Sequence, residues 1–187
     1  MKRSVLLSLF FCFFSFNANA QTLVVLQEKN LISELDYSFK AMAYMEKDVH
    51  EYVSVFAFGV VSPKWAEIYA GLQIKTCKYF NFSLAAGIEQ AKDLWRTAFS
   101  AGLNLDPVFF SGTFELGASG WWFTSTLKFK FTSYFSAGAI AERFSGIGIY
   151  LEATLPVPKV PIVIWGAPVY DFEAKSYGAL FGIKFIL

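Results

Sequence analysis

The sequence predicts an all-β fold: a closed antiparallel up-and-down transmembrane β-barrel of about ten strands, with eight or twelve as the alternative counts. Three observations carry that reading. Apolar residues alternate with small or polar ones at every second position through many successive segments, short turns rich in Gly, Pro, Ser and Asp separate the segments, and the N-terminus carries a secretory leader. Side chains of a strand point alternately to its two faces, so each such segment has one apolar face and one polar face.

The leader comes first. Lys2 and Arg3 precede an apolar run from Val5 to Phe16, and Ala18, Asn19 and Ala20 place small residues where a signal peptidase reads them. Residues 1–20 are therefore read as a signal peptide cleaved near Ala20, and residues 21–187 as a single barrel domain. The run is too short to cross a bilayer core of roughly 30 Å as a helix. Cys12 follows Phe11, where a lipoprotein signal needs a small residue, so it belongs to the apolar run.

The strands follow in order. Leu35, Tyr37, Phe39, Ala41 and Ala43 alternate with Asp36, Ser38, Lys40, Met42 and Tyr44. Tyr52 to Val61 is apolar on both faces. Ile68, Ala70, Leu72 and Ile74 alternate with Glu67, Tyr69, Gly71, Gln73 and Lys75, and Phe80, Phe82, Leu84 and Ala86 with Asn81, Ser83 and Gly87. Trp95, Thr97, Phe99 and Ala101 oppose Arg96, Ser100 and Gly102; Val108, Phe110, Phe114 and Leu116 oppose Ser111, Thr113 and Glu115. Trp121, Phe123, Leu127 and Phe129 oppose Thr124, Thr126, Lys128 and Lys130. Tyr134 to Arg143 is rich in small residues, and Ile147, Ile149 and Leu151 then oppose Gly148, Tyr150 and Glu152. The last strand has the cleanest pattern, with Tyr177, Ala179, Phe181, Ile183, Phe185 and Leu187 on one face and Gly178, Leu180, Gly182, Lys184 and Ile186 on the other.

Turn chemistry at Ser62–Pro63, Asp106–Pro107, Ser119–Gly120 and Ser145–Gly146 makes consecutive strands hairpin neighbours. Closing the meander removes both exposed edges. The segment from Pro156 to Lys175 breaks the rhythm between the ninth and tenth strands. With both termini periplasmic it falls on the extracellular side, where loops are longer. It is read as a plug, a surface element or an adhesive loop, or else as an extension of the wall through Val160 to Trp165. A twelve-strand barrel would recruit Thr22 to Gln27.

Composition narrows the classes. Of 16 basic residues, Lys2 and Arg3 lie in the leader, so 14 remain against 15 acidic ones and the mature chain has a formal charge of −1. That balance argues against a nucleic-acid partner. Cys77 is the one cysteine left after cleavage, so no intramolecular disulfide framework forms. No metal-ligand cluster or Gly-rich phosphate loop is present, and no cofactor is expected.

The orientation of the two faces decides between a membrane barrel and a secreted soluble one. The polar face carries only one to three charges per strand, few for a water-facing surface, while the other face is nearly free of charge, as a lipid-facing band requires. Trp65, Trp95, Trp121, Trp122, Tyr79 and Tyr134 fall near strand ends, where aromatic girdles sit. The chain here resembles the small outer-membrane β-barrels, the class of OmpA-like and OmpW-like proteins. The resemblance is architectural and covers the leader, most of the alternation and the C-terminal strand. It implies location in the outer membrane of a diderm bacterium, with outer-membrane lipid and the barrel-assembly machinery as partners. Members of the class usually end in an aromatic residue; Leu187 stands there, with Phe185 and Phe181 in phase.

Ten strands tilted near 40° enclose a backbone radius of roughly 10 Å, too narrow for a wide porin. The inward charges are read as Glu67, Lys75, Glu89, Arg96, Glu115, Lys128, Lys130, Glu152 and Lys184, together with Glu34, Asp36 and Lys40. Their mixed signs predict structural ion pairs across a largely filled bore. The expected function is a structural or surface protein, or a restricted conduit for a small solute or extracellular ligand. One alternative is a secreted lipocalin-like ligand-binding barrel; another is an outer-membrane lipid-modifying enzyme using His50, the sole histidine, placed by this topology at the extracellular start of the second strand. Ser54 is about 13 Å from it along a strand, too far to be deprotonated directly, so no catalytic residue is assigned.

Overall fold

The structure, a computed structural model, describes residues 21–31, 36–157 and 160–187. The leader with Cys12, Glu34 and the side chain of Asp36 lie outside the described residues. Twelve strands run in chain order: β1 (Gln21–Leu31), β2 (Asp36–His50), β3 (Val53–Val61), β4 (Ala66–Cys77), β5 (Phe80–Glu89) and β6 (Trp95–Leu105). They continue with β7 (Val108–Gly117), β8 (Gly120–Lys130), β9 (Phe135–Glu142), β10 (Gly146–Leu155), β11 (Ile162–Asp171) and β12 (Ser176–Ile186). Every strand pairs antiparallel with its chain neighbours, and β1 pairs with β12 to close the barrel.

The count of about ten strands is thus corrected to twelve, the additions being β1 and β11. The strand recruited from Thr22 to Gln27 supplies the closing edge. Thr22 and Leu187 exchange backbone hydrogen bonds at 3.2 and 2.8 Å. Half of the Pro156–Lys175 segment is wall, with β11 matched to β12 from Ile162↔Phe185 to Asp171↔Ser176. Twelve strands raise the expected backbone radius to roughly 12 Å.

Gln21 and Leu187 lie at one end of the barrel, the terminal end. Strand polarity puts the turns Glu51–Tyr52, Lys78–Tyr79 and Asp106–Pro107 at that end, with residues 131–134, 156–157 and 160–161. The opposite, distal end carries residues 62–65, 90–94, 118–119, 143–145 and 172–175. The extra first strand inverts two expectations: His50 and the proline-rich connection both belong to the terminal end.

The faces sort by solvent exposure. Leu72, Leu84, Phe99, Phe114, Leu127, Ile149 and Phe181 all stand exposed on the outside, with Leu84 at 60% and Ile149 at 62%. Glu67, Glu89, Arg96, Glu115 and Glu152 are buried inside. A soluble ligand-binding barrel has the opposite arrangement, apolar within and polar without. One sector of the interior is apolar nonetheless: Ile140, Tyr150, Trp165, Ala167, Val169 and Leu180 pack together on β9 to β12.

Candidate functional site

The interior is the site, and it divides along the axis. At the distal end one guanidinium organises three carboxylates. Arg96, second residue of β6, meets Glu67 at 3.2 Å, Glu89 at 2.6 Å and Glu115 at 2.7 Å. These groups come from β4, β5 and β7, whose distal ends flank that of β6, and inward alternation aims all of them at one point. Tyr69 donates its hydroxyl to Glu115 and accepts from Arg96 Nε at 2.7 Å. Ser119 in the β7–β8 turn donates its amide to Glu89 at 2.7 Å, and Trp65 Nε1 donates to Glu67 at 2.8 Å. Glu89 is fully buried, so these bonds replace its hydration. Gly117 leaves the room: a Cβ there would lie 2.9 Å from both Glu89 carboxylate oxygens and 3.0 Å from Arg96 Cγ.

A second group at the same end spans the bore. Lys40 on β2 donates to Glu142 Oε1 on β9 at 2.6 Å, Ser145 donates to the same oxygen at 2.7 Å, and Gln27 on β1 reaches Oε2 at 3.4 Å. The ammonium of Lys40 also lies 5.7 Å from the centre of the Trp122 ring. Strands β2 and β9 are not neighbours: β10, β11, β12 and β1 lie between them on one side and β3 to β8 on the other. The pair is therefore a bar across the interior, and it completes a polar layer with the Arg96 group.

At the terminal end two further groups face each other from opposite walls. On β8, β10 and β12, Glu152 accepts from Lys128 at 2.7 Å and from Lys184 at 2.8 Å, and Tyr150 donates to it at 2.6 Å. Across the bore, Lys75 on β4 pairs with Asp48 and, at 3.4 Å, with Glu46, both on β2. Between the ends, Trp165 lies against Gly182, where a Cβ would come 2.3 Å from the indole nitrogen, and Phe58 stacks on Tyr69 at 5.9 Å.

Of the twelve inward charges named from sequence, nine enter these groups, and the side chains of Glu34 and Asp36 lie outside the described residues. Lys130 is exposed at the last position of β8 and makes no ion pair among the described residues. Sequence reasoning missed Glu142, Glu46, Asp48 and Gln27. Glu142 shares the phase of Ser136, Gly138 and Ile140, which small residues obscured; Glu46 and Asp48 extend the phase of Lys40 and Tyr44 beyond the expected strand end. Two of the aromatic residues expected in girdles turn inward instead, Trp65 onto Glu67 and Trp122 beneath Lys40. Trp95, Trp121, Tyr79 and Tyr134 stand exposed at strand ends. His50 accepts from the Tyr52 amide at 3.3 Å at the terminal rim, and the Ser54 hydroxyl donates to Asp48 at 2.6 Å.

No protein-family model matches the chain, and no curated protein matches it. Solved structures do. The KdgM porin aligns at a TM-score of 0.58 with 10% identity, covering 87% of this chain and 98% of that one. The NanC porin, solved in a rhombohedral crystal form, aligns at 0.53 with 5% identity, covering 88% of this chain and 98% of its own. Identity this low speaks to fold alone, and the fold is that of the outer-membrane porin β-barrels.

Proposed function

We propose that the protein is a conduit of restricted bore for small polar solutes in the outer membrane of a diderm bacterium. Its terminal end faces the periplasm, the leader is removed near Ala20, and outer-membrane lipid surrounds the exposed apolar face. The barrel-assembly machinery recognises the C-terminal strand. No catalytic role is proposed for His50, which contacts Tyr52 at the rim.

One observation carries the proposal: the inner face of β6, β7 and β8 is polar and grades from accessible to buried along the axis. Asn104, Ser111 and Lys130 are exposed toward the terminal end, whereas Glu89, Arg96 and Glu115 are buried at the distal end. The terminal half is thus a hydrated vestibule, and the distal layer is the constriction that limits passage.

Reconstitution tests this. Purified barrel in planar bilayers is expected to give small discrete conductance steps, and proteoliposomes are expected to swell in solutes of low mass but not in larger ones. Silence in both assays would overturn the conduit and leave a structural or surface role.

A further inference from the structure

We propose that the vestibule holds an oxyanion-binding site on the wall formed by β8, β10 and β12, with Lys128, Lys130 and Lys184 as its cations. The proposal rests on the reading of the terminal half as accessible to solute, and it assigns that half a ligand class. Two lysines share one carboxylate, and a third lies further along the same inward face. Lys128 and Lys184 share Glu152, which is 7% exposed, while their own side chains remain 27% and 25% exposed. Lys130 lies two residues from Lys128 on the same inward face and makes no ion pair among the described residues. The formal sum of these four groups is +2.

Geometry confines an anion to this wall. Lys128 sits 5.5 Å from the centre of the Phe109 ring, and Lys184 lies 5.2 and 5.9 Å from those of Tyr150 and Trp165, so the aromatic floor holds the ammonium groups toward the bore. Strand β2, opposite β8 in the closed order, carries Glu46 and Asp48 against the single Lys75 of β4, a formal −1 that repels the same ligand. Ammonium groups attract carboxylate and phosphate oxygens as point charges with several rotatable donors, which suits a small, hydrated oxyanion.

Calorimetric titration of the detergent-folded protein at low salt tests this with inorganic phosphate and with succinate as probes. Saturable binding of either is expected; binding of one alone identifies which oxyanion the site prefers. The Lys128→Gln, Lys130→Gln double variant keeps Lys184 on Glu152 and is expected to weaken binding by about tenfold or more. Glu152→Gln removes the competing carboxylate and is expected to tighten it several-fold. Heat-modifiable migration of each variant verifies the fold. Wild-type protein that binds neither probe, or a double variant that binds as tightly as wild type, overturns the proposal. Binding with silent bilayers and no proteoliposome swelling would sink the conduit and keep this site; conductance without binding would do the reverse.

Discussion

Arg96 shows what one residue does here. Its guanidinium satisfies three carboxylates that are at most 7% exposed, and no other cation is paired with them among the described residues. Removing it strands buried charge, which costs about 3–5 kcal/mol when one partner of such a pair is lost. Arg96→Met is expected to lower the unfolding free energy obtained from urea titration of the folded barrel by that much, and Arg96→Lys to recover only part, because an ammonium cannot reproduce the planar fork. Glu173→Ala breaks an exposed pair with Arg143 and should change stability by at most about 1 kcal/mol. Equal losses for Arg96→Met and Glu173→Ala would refute the ranking. The inward direction of Arg96 was legible because it alternates with Trp95 and Thr97. Its convergence with Glu67, Glu89 and Glu115 was not, since that depends on register across four strands, and register is a property of pairs.

Individual strands reveal where alternation informs and where it fails. Neighbouring Leu84 and Ala85 on β5 point to opposite faces, Leu84 being 60% exposed on the outside. Leu84→Arg is expected to destabilise the barrel in lipid vesicles by about 2–4 kcal/mol if it sits near the midplane, while Ala85→Ser, on the polar inner face, should be close to neutral. Equal effects would mean that the outer face does not meet lipid. Strand β11 was hidden because both its faces are apolar: Ile164 stands outside, while Val163, Trp165, Ala167 and Val169 are buried within. Pro168 adds to the disguise. Proline lacks the amide that a ladder needs, and the β10–β11 pairing is interrupted between Gly148↔Val169 and Leu151↔Gly166. Closure tolerates that gap because β11 remains paired with β12 along its whole length. Strand β1 was obscured differently, for it begins at the predicted cleavage site and its apolar run from Leu23 to Leu26 has no alternation.

The whole barrel has an apolar exterior, exposed polar side chains such as Asn104, Ser111 and Lys130 toward its terminal end, and a distal layer held by two ionic groups. Its fold class followed from the alternation, but its strand count and the end that bears His50 did not, because the missed β1 inverts the placement of β2 to β10 and the missed β11 restores it at β12. In the proposed conduit the distal layer sets whether solute passes. The Arg96 group joins adjacent strands and lies along one wall, so its loss loosens the wall without spanning the bore. The bar from Lys40 to Glu142 crosses between strands that do not touch, with Gln27 and Ser145 holding the carboxylate. Replacing both charges by amides, Lys40→Gln with Glu142→Gln, keeps hydrogen-bonding capacity on Gln27 and Ser145 while removing the attraction that draws β2 and β9 side chains together. The double variant is expected to fold, as judged by heat-modifiable migration, and to conduct several-fold more than wild type in planar bilayers. Raised salt should enlarge wild-type conductance beyond the rise in bulk conductivity and leave the variant following bulk, because screening weakens a partly exposed pair. An unchanged single-channel conductance in the folded variant would show that the constriction lies elsewhere, in the Arg96 group or in the apolar sector around Trp165 and Leu180.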